Sequence, residues 1–170
     1  DGNKALVFVS DRPGGFGKMD LWMCRLHNED NAEKAVNLGP EINTPGNELT
    51  PYYFKRNNVL YFSSDWHAGL GGLDVFYTLY DIENDEYKNP VNMGVPINSS
   101  YNDLSFVMKN DSSGSFLASN RDDAFFINEE HCCHDLYDYN IQKRIKVKKE
   151  IEEPSYDTTQ NILVLKGLVK

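Results

Sequence analysis

The 170-residue sequence predicts an all-β fold, on three observations. A strand-and-loop pattern recurs every 54 or 55 residues. Each copy opens with a short run in which aromatic and β-branched residues dominate. No stretch carries the apolar period of a helix, a coiled coil or a collagen.

The recurrence is explicit. Residues 6–22, LVFVSDRPGGFGKMDLW, and residues 60–76, LYFSSDWHAGLGGLDVF, agree at seven of seventeen positions. These are Leu6/Leu60, Phe8/Phe62, Ser10/Ser64, Asp11/Asp65, Gly15/Gly69, Gly17/Gly71 and Asp20/Asp74. A second block follows each copy. NLGPEINTPGNELT at 37–50 and NMGVPINSSYNDLS at 92–105 agree at six of fourteen positions, with Glu48/Asp103 and Thr44/Ser99 as near-matches. A third copy begins FLASNR at residue 116, with Ser119 and Asn120. It regains the pattern at Asp135-Leu136-Tyr137 after six extra residues within the insertion Asp123–His134.

Each copy dictates its elements in order. The first strands are Leu6 to Val9, Val59 to Ser63 and Phe116 to Ala118. A Gly-rich loop follows, whose glycines are expected to supply positive φ. A second strand leaves from the Asp: Leu21 to Leu26, Val75 to Tyr80 and Leu136 to Ile141. Strands joined this closely form antiparallel hairpins. Shorter strands are expected near Val36 and Val91, and further ones at Thr50 to Phe54 and Leu104 to Met108. At Asp30 to Val36 one helical turn competes weakly with strand. Four short strands in about 50 residues is the plan of a propeller blade. Residues 1–142 therefore read as a β-propeller portion of about three blades, each of four antiparallel strands. Closed propellers have about four to eight blades, so the portion is expected to belong to a larger ring. Residues 143–160 read as a charged linker, opening with Lys143, Arg144, Lys146, Lys148 and Lys149. Residues 161–170, NILVLKGLVK, read as a terminal strand.

Composition narrows function. The net charge of −9 disfavours a phosphate backbone as partner. Aromatics at 12% support a packed core and exclude wholesale disorder. No run approaches 18 apolar residues, so no membrane-spanning helix is expected. A targeting signal, if the protein carries one, is expected outside these residues.

The motifs SDRPGGFGKMDLW, SSDWHAGLGGLDVF and ASNR…DLY resemble the WD40-like repeats of TolB-type β-propellers. Together with Asn-Leu-Gly, Ile-Asn and the following acid, the pattern is similar to the propeller of OmpA-family envelope lipoproteins, one of which serves the Bacteroidota type IX secretion system. The resemblance covers about residues 4–140. It implies a non-catalytic, protein-binding scaffold in the periplasm, associated with the outer membrane and linked to secretion or gliding machinery. PorP/SprF-type outer-membrane barrels are the implied partners. Peptidoglycan would be reached only through a domain absent from this sequence. Residues 161–170 resemble the first strand of a carboxypeptidase-regulatory-like sandwich. Trp66 departs from the family pattern, standing where Arg is usual.

The candidate chemistry is weighed against that scaffold. Asp11, Asp65 and Asn120 end a strand and are expected to accept loop amides two residues on. Asp20, Asp74 and Asp135 close the loop and are expected to accept further amides, or to pair with Arg12 and Arg121. Ser10, Ser64 and Ser119 belong to the same motif. Paired carboxylates can serve catalysis, but a site is needed once and a hairpin in every copy. Calcium is disfavoured because acidic ligands at alternating positions are missing. No Gly-x-Ser-x-Gly elbow, P-loop or dinucleotide fingerprint occurs, and no cofactor is expected. His131-Cys132-Cys133-His134 offers ligand types for zinc, at a spacing too tight for one tetrahedron. Free thiols and a vicinal disulfide between Cys132 and Cys133 are the other two readings. Cys24 alternates with Trp22 and Leu26 and is expected on a buried face. Loop aromatics and cations, at Arg12, Trp66, His67 and Arg121, are the candidate partner contacts, with Leu70 beside them. The alternative function is a glycan-binding or carbohydrate-active propeller.

Overall fold

The computed structural model describes residues 4–28, 31–122 and 134–140. Cys132, Cys133 and His131, the 143–160 linker and the 161–170 strand lie outside the described residues. Twelve strands are present among the described residues: β1 Lys4–Ser10, β2 Asp20–Asn28, β3 Asn31–Ala32, β4 Val36–Asn37, β5 Glu48–Phe54, β6 Val59–Ser64, β7 Asp74–Asp81, β8 Glu86–Tyr87, β9 Val91–Asn92, β10 Asp103–Met108, β11 Gly114–Ser119 and β12 Asp135–Asn140. None of the described residues forms a helix long and apolar enough to cross a membrane. The fold is all-β, and its named strand pairs are antiparallel.

Three sheets follow one another along the chain: β1–β4, β5–β9 and β10–β12. The middle sheet has the fullest plan. Its order is β5-β6-β7-β8, with β9 also on β7. The short outer strand comes in two pieces because Pro90 falls between them and has no N–H to donate. The first sheet repeats this plan with β3 and β4 both on β2, so Asn31–Ala32 is strand and not a helical turn. In the third, β11 lies between β10 and β12. The registers coincide across copies: Ser10 faces Asp20, Ser64 faces Asp74, and Ser119 faces Asp135.

Packing explains why the middle strand is the most apolar. All six residues of β6 are buried, and its two faces feed different clusters. Leu60 and Phe62 join Leu21, Ile42 and Phe76. Val59 and Tyr61 join Phe54, Val75, Phe106 and Leu117. Burial on both faces removes the apolar–polar alternation of a one-sided sheet. Fully burying one such side chain contributes roughly 1.5–3 kcal/mol. β5 and β10 share an irregularity at their third residues, Thr50 and Ser105. Both have positive φ, 49° and 56°, at a register shift. The two bulges touch, with Ser105 N donating to Thr50 Oγ1 at 3.1 Å.

In the β1–β2 and β6–β7 loops the expected positive φ is met at Gly14, at 96°, and not at the repeated glycines. Among the repeated ones, Gly15, Gly17, Gly69 and Gly71, none has positive φ. Space is the reason for them. A Cβ on Gly17 would lie 2.0 Å from the Thr44 carbonyl, and one on Gly71 2.0 Å from that of Tyr101. Cys24 is half-buried, less enclosed than Trp22.

Candidate functional site

The repeated polar residues converge at the corners where one sheet meets the next. Two kinds of corner are visible, and they are built from the same parts.

Two of the loop-closing carboxylates, Asp20 and Asp74, behave as their position requires. Asp20 accepts Phe16 N and Gly17 N, and Asp74 accepts Leu70 N and Gly71 N. Both side chains are buried, so each holds a turn that would otherwise leave amide donors unpaired. Asp135 begins β12 and faces Ser119.

The strand-ending group acts differently from expectation. Asp65 accepts both Asn47 N at 2.7 Å and Asn47 Nδ2 at 2.6 Å, and Asn120 accepts Asn102 N at 2.9 Å. These partners lie 18 residues back, not two residues on. The acceptor therefore ties its own loop to the segment that precedes the sheet. Asp11, at the same repeat position, is exposed, as Asp65 is.

The Ile-Asn pair serves two sheets at once. Asn43 accepts Leu21 N at 2.8 Å and donates to Leu21 O at 2.9 Å. Asn98 does the same to Val75, at 2.8 and 2.9 Å. A side-chain amide thus stands in for a neighbouring strand. The preceding isoleucine turns its carbonyl toward a nitrogen-bearing side chain of the next sheet. Arg121 Nη2 donates to Ile97 O at 2.8 Å, and His67 Nε2 lies 3.0 Å from Ile42 O. A carbonyl only accepts, so Nε2 carries the His67 proton.

The buried acid completes each corner. Asp103 is fully buried; it accepts Ser99 N and Ser99 Oγ, and pairs with the Arg121 guanidinium. Glu48, also fully buried, accepts Thr44 N at 2.9 Å, Ser64 Oγ at 2.9 Å and Thr44 Oγ1. Burial pushes the Glu48 carboxyl above its ordinary range, against the pull of these donors. Arg121 therefore pairs with Asp103, the acid of the preceding segment. The guanidinium also receives a bed of carbons, 4.7 Å above the Tyr137 ring. His67 occupies the equivalent bed, 6.0 Å from Phe62 and 5.2 Å from Phe76. Trp66 has the sequence position of the arginines, but His67 takes over their work.

Arg121 and His67 are half-buried, and their ring and guanidinium nitrogens are bonded within the molecule. Arg12 and Trp66 are exposed. Trp66 is 63% exposed, and Phe16 and Leu70, at one repeat position, are 50% and 54% exposed. Lys18 N donates to Gly46 O at 2.9 Å, and Gly46 packs close to the Trp66 Cβ. The β1–β2 loop and the Trp66 loop thus both adjoin the segment at Gly46. Phe16 escaped sequence reasoning, although its match to Leu70 was the available signal. Glu48, Asp103, Asn43 and Asn98 were visible as repeated letters, with no hint of their cross-sheet partners.

A separate cleft of about 950 Å³ opens between the first two sheets, lined by Lys4, Tyr53, Tyr80, Tyr87 and the Arg25–Asp85 pair at 2.7 Å. Hydrogen bonds from Tyr80 and Arg25 hold the Asp85 carboxyl below its usual range. Among the described residues no group of three or more His, Cys, Asp or Glu is arranged to hold a metal ion.

Comparison of the chain with family models, curated proteins and solved structures finds no match.

Proposed function

We infer that the three sheets are consecutive blades of a β-propeller and that the chain is a non-catalytic, protein-binding scaffold. The observation that carries this reading is the fate of the repeated polar residues. Acids, amides and cations that could have formed a reactive site are instead spent on loop amides and on neighbouring sheets. Among what the loops leave exposed are the large apolar side chains Trp66, Phe16 and Leu70, beside the charged Asp11, Arg12 and Lys18. Large apolar side chains on loops held by a rigid frame are suited to protein contact. The resemblance to OmpA-family envelope propellers adds the setting: a periplasmic, outer-membrane-associated protein of the type IX secretion or gliding machinery, with a PorP/SprF-type barrel as partner.

Titration of the chain into a purified barrel of that type, in detergent, tests the reading. Trp66→Ala and Phe16→Ala are expected to leave thermal unfolding unchanged and to weaken binding by about tenfold or more each, the scale of an interface hot spot. Hydrolysis of a glycan by the same preparation, with no barrel binding, would replace the scaffold by the carbohydrate-active alternative.

A further inference from the structure

Among the described residues, the first sheet presents a corner of the kind just described with one half missing. β6 has β5 on one side and β7 on the other, and β11 has β10 and β12. β1, the same repeat element, pairs only with β2 among the described residues. The consequence is visible side chain by side chain. Leu6 is 50% exposed where its counterpart Leu60 is 0% exposed, and Ser10 is half-buried where Ser64 and Ser119 are buried. An open strand edge carries a row of unpaired N–H and C=O groups that a further strand can complete.

The corner beside that edge is already set. Arg12 Nε donates to Ser10 Oγ at 3.0 Å, as Arg121 Nε donates to Ser119 Oγ at 3.0 Å. Its guanidinium lies 4.7 Å above Phe8 and 5.3 Å above Trp22. Beneath it, Trp22 keeps a buried indole N–H that no atom of the described residues accepts. In the third sheet the guanidinium goes on to Asp103 and Ile97 O. Among the described residues Arg12 has no hydrogen-bonded carboxylate.

We propose that the β1 edge and Arg12 form an acceptor site for one extended strand that opens with aspartate, the strand of a further repeat of this same type. The strand runs antiparallel to β1 with its acid opposite Ser10, as Asp103 lies opposite Ser119 and Glu48 opposite Ser64. Its carboxylate meets the Arg12 guanidinium. The isoleucine carbonyl six residues earlier takes a second N–H of Arg12, as Ile97 stands to Asp103.

The choice of aspartate follows from the two finished corners. With arginine present, the serine hydroxyl is engaged by Nε and the guanidinium reaches out, so the short acid suffices. With Trp66 in place of arginine, Ser64 donates to the acid directly and the longer Glu48 makes the reach. Ser10 is engaged by Arg12 in the first manner. Arg12 is therefore the residue that sets the specificity of the edge.

The identity of the occupant rests on the propeller reading, but the envelope role does not enter. The probe is a synthetic peptide with the sequence of residues 96–109, PINSSYNDLSFVMK, added to the 170-residue chain. Fluorescence anisotropy and amide hydrogen exchange are read together. Saturable binding with new protection confined to β1 is expected. Arg12→Ala in the chain, or Asp103→Asn in the peptide, should each weaken it by about tenfold, the scale of a charge-assisted contact. Asp103→Glu in the peptide should bind less tightly than the parent. No binding at millimolar peptide, protection away from β1, or affinity indifferent to both Arg12→Ala and Asp103→Asn would overturn the proposal. The Asp103→Asn arm stands even if the Arg12 variant folds poorly. Barrel binding by Trp66 and Phe16 would be untouched by any of these results.

Discussion

Glu48 shows how one carboxylate is tolerated in an apolar seam. Among the described residues it has no guanidinium partner, and three donors from Thr44 and Ser64 stabilise it instead. Desolvation still outweighs them, so the folded protein holds the Glu48 proton more tightly than the unfolded chain does. The sign follows from linkage. Between the unfolded and the raised folded pKa the native state binds more protons, so this group's contribution to stability falls as pH rises through that window. It is most favourable below the unfolded value and least favourable above the folded one. Glu48→Gln keeps an acceptor for Thr44 N and removes the charge. Urea unfolding across acid to neutral pH is expected to show wild type losing stability relative to Glu48→Gln as pH rises. A difference independent of pH would mean that Glu48 titrates as it does in the unfolded chain.

At the scale of elements, the loops are shaped by contact more than by dihedral preference. Gly71 sits where the β6–β7 loop meets the Ser99–Tyr101 segment, with backbone carbonyls in the space of a Cβ. Backbone cannot swing away as a side chain can. Gly71→Ala is expected to destabilise by about 1–3 kcal/mol, the cost of overpacking, measured by chemical denaturation. Gly39→Ala differs in kind: no atom crowds its Cβ position, and its φ of 88° supplies the strain. Much of this level was legible in the sequence. Aromatic and β-branched runs marked β1, β2, β6, β7 and β11, because alternation and composition are local properties of a strand. The two-residue strands β8 and β9 were only partly legible, since Pro90 breaks their run and leaves little pattern. The purpose of Gly17 and Gly71 was not legible. It lies in segments some 30 residues away, and no local rule reports such a contact.

At the scale of the whole molecule, the repeat makes one sheet depend on the next. Ile42 and Asn47 of the segment ahead of β5 hold His67 and Asp65 beyond β6, and Ile97, Asn102 and Asp103 hold Arg121 and Asn120 beyond β11. All of these letters stand in the sequence, but a repeated letter reports recurrence and not the residue it meets across the sheets. Trp66 looked like a lost arginine. Only the three-dimensional neighbours show His67 taking over, since the exchange moves the role along the chain by one residue.

The claim that these polar residues join sheets is tested most directly by a double-mutant cycle on Arg121 and Asp103. Arg121→Met keeps the stem over Tyr137 and removes the guanidinium; Asp103→Asn keeps the Ser99 contacts and removes the charge. With Asp103 fully buried, either change alone leaves the other partner uncompensated. Each single variant is expected to lose about 3 kcal/mol, and the coupling is expected at about 2 kcal/mol in urea denaturation. Additive losses, with coupling below about 0.5 kcal/mol, would contradict the account.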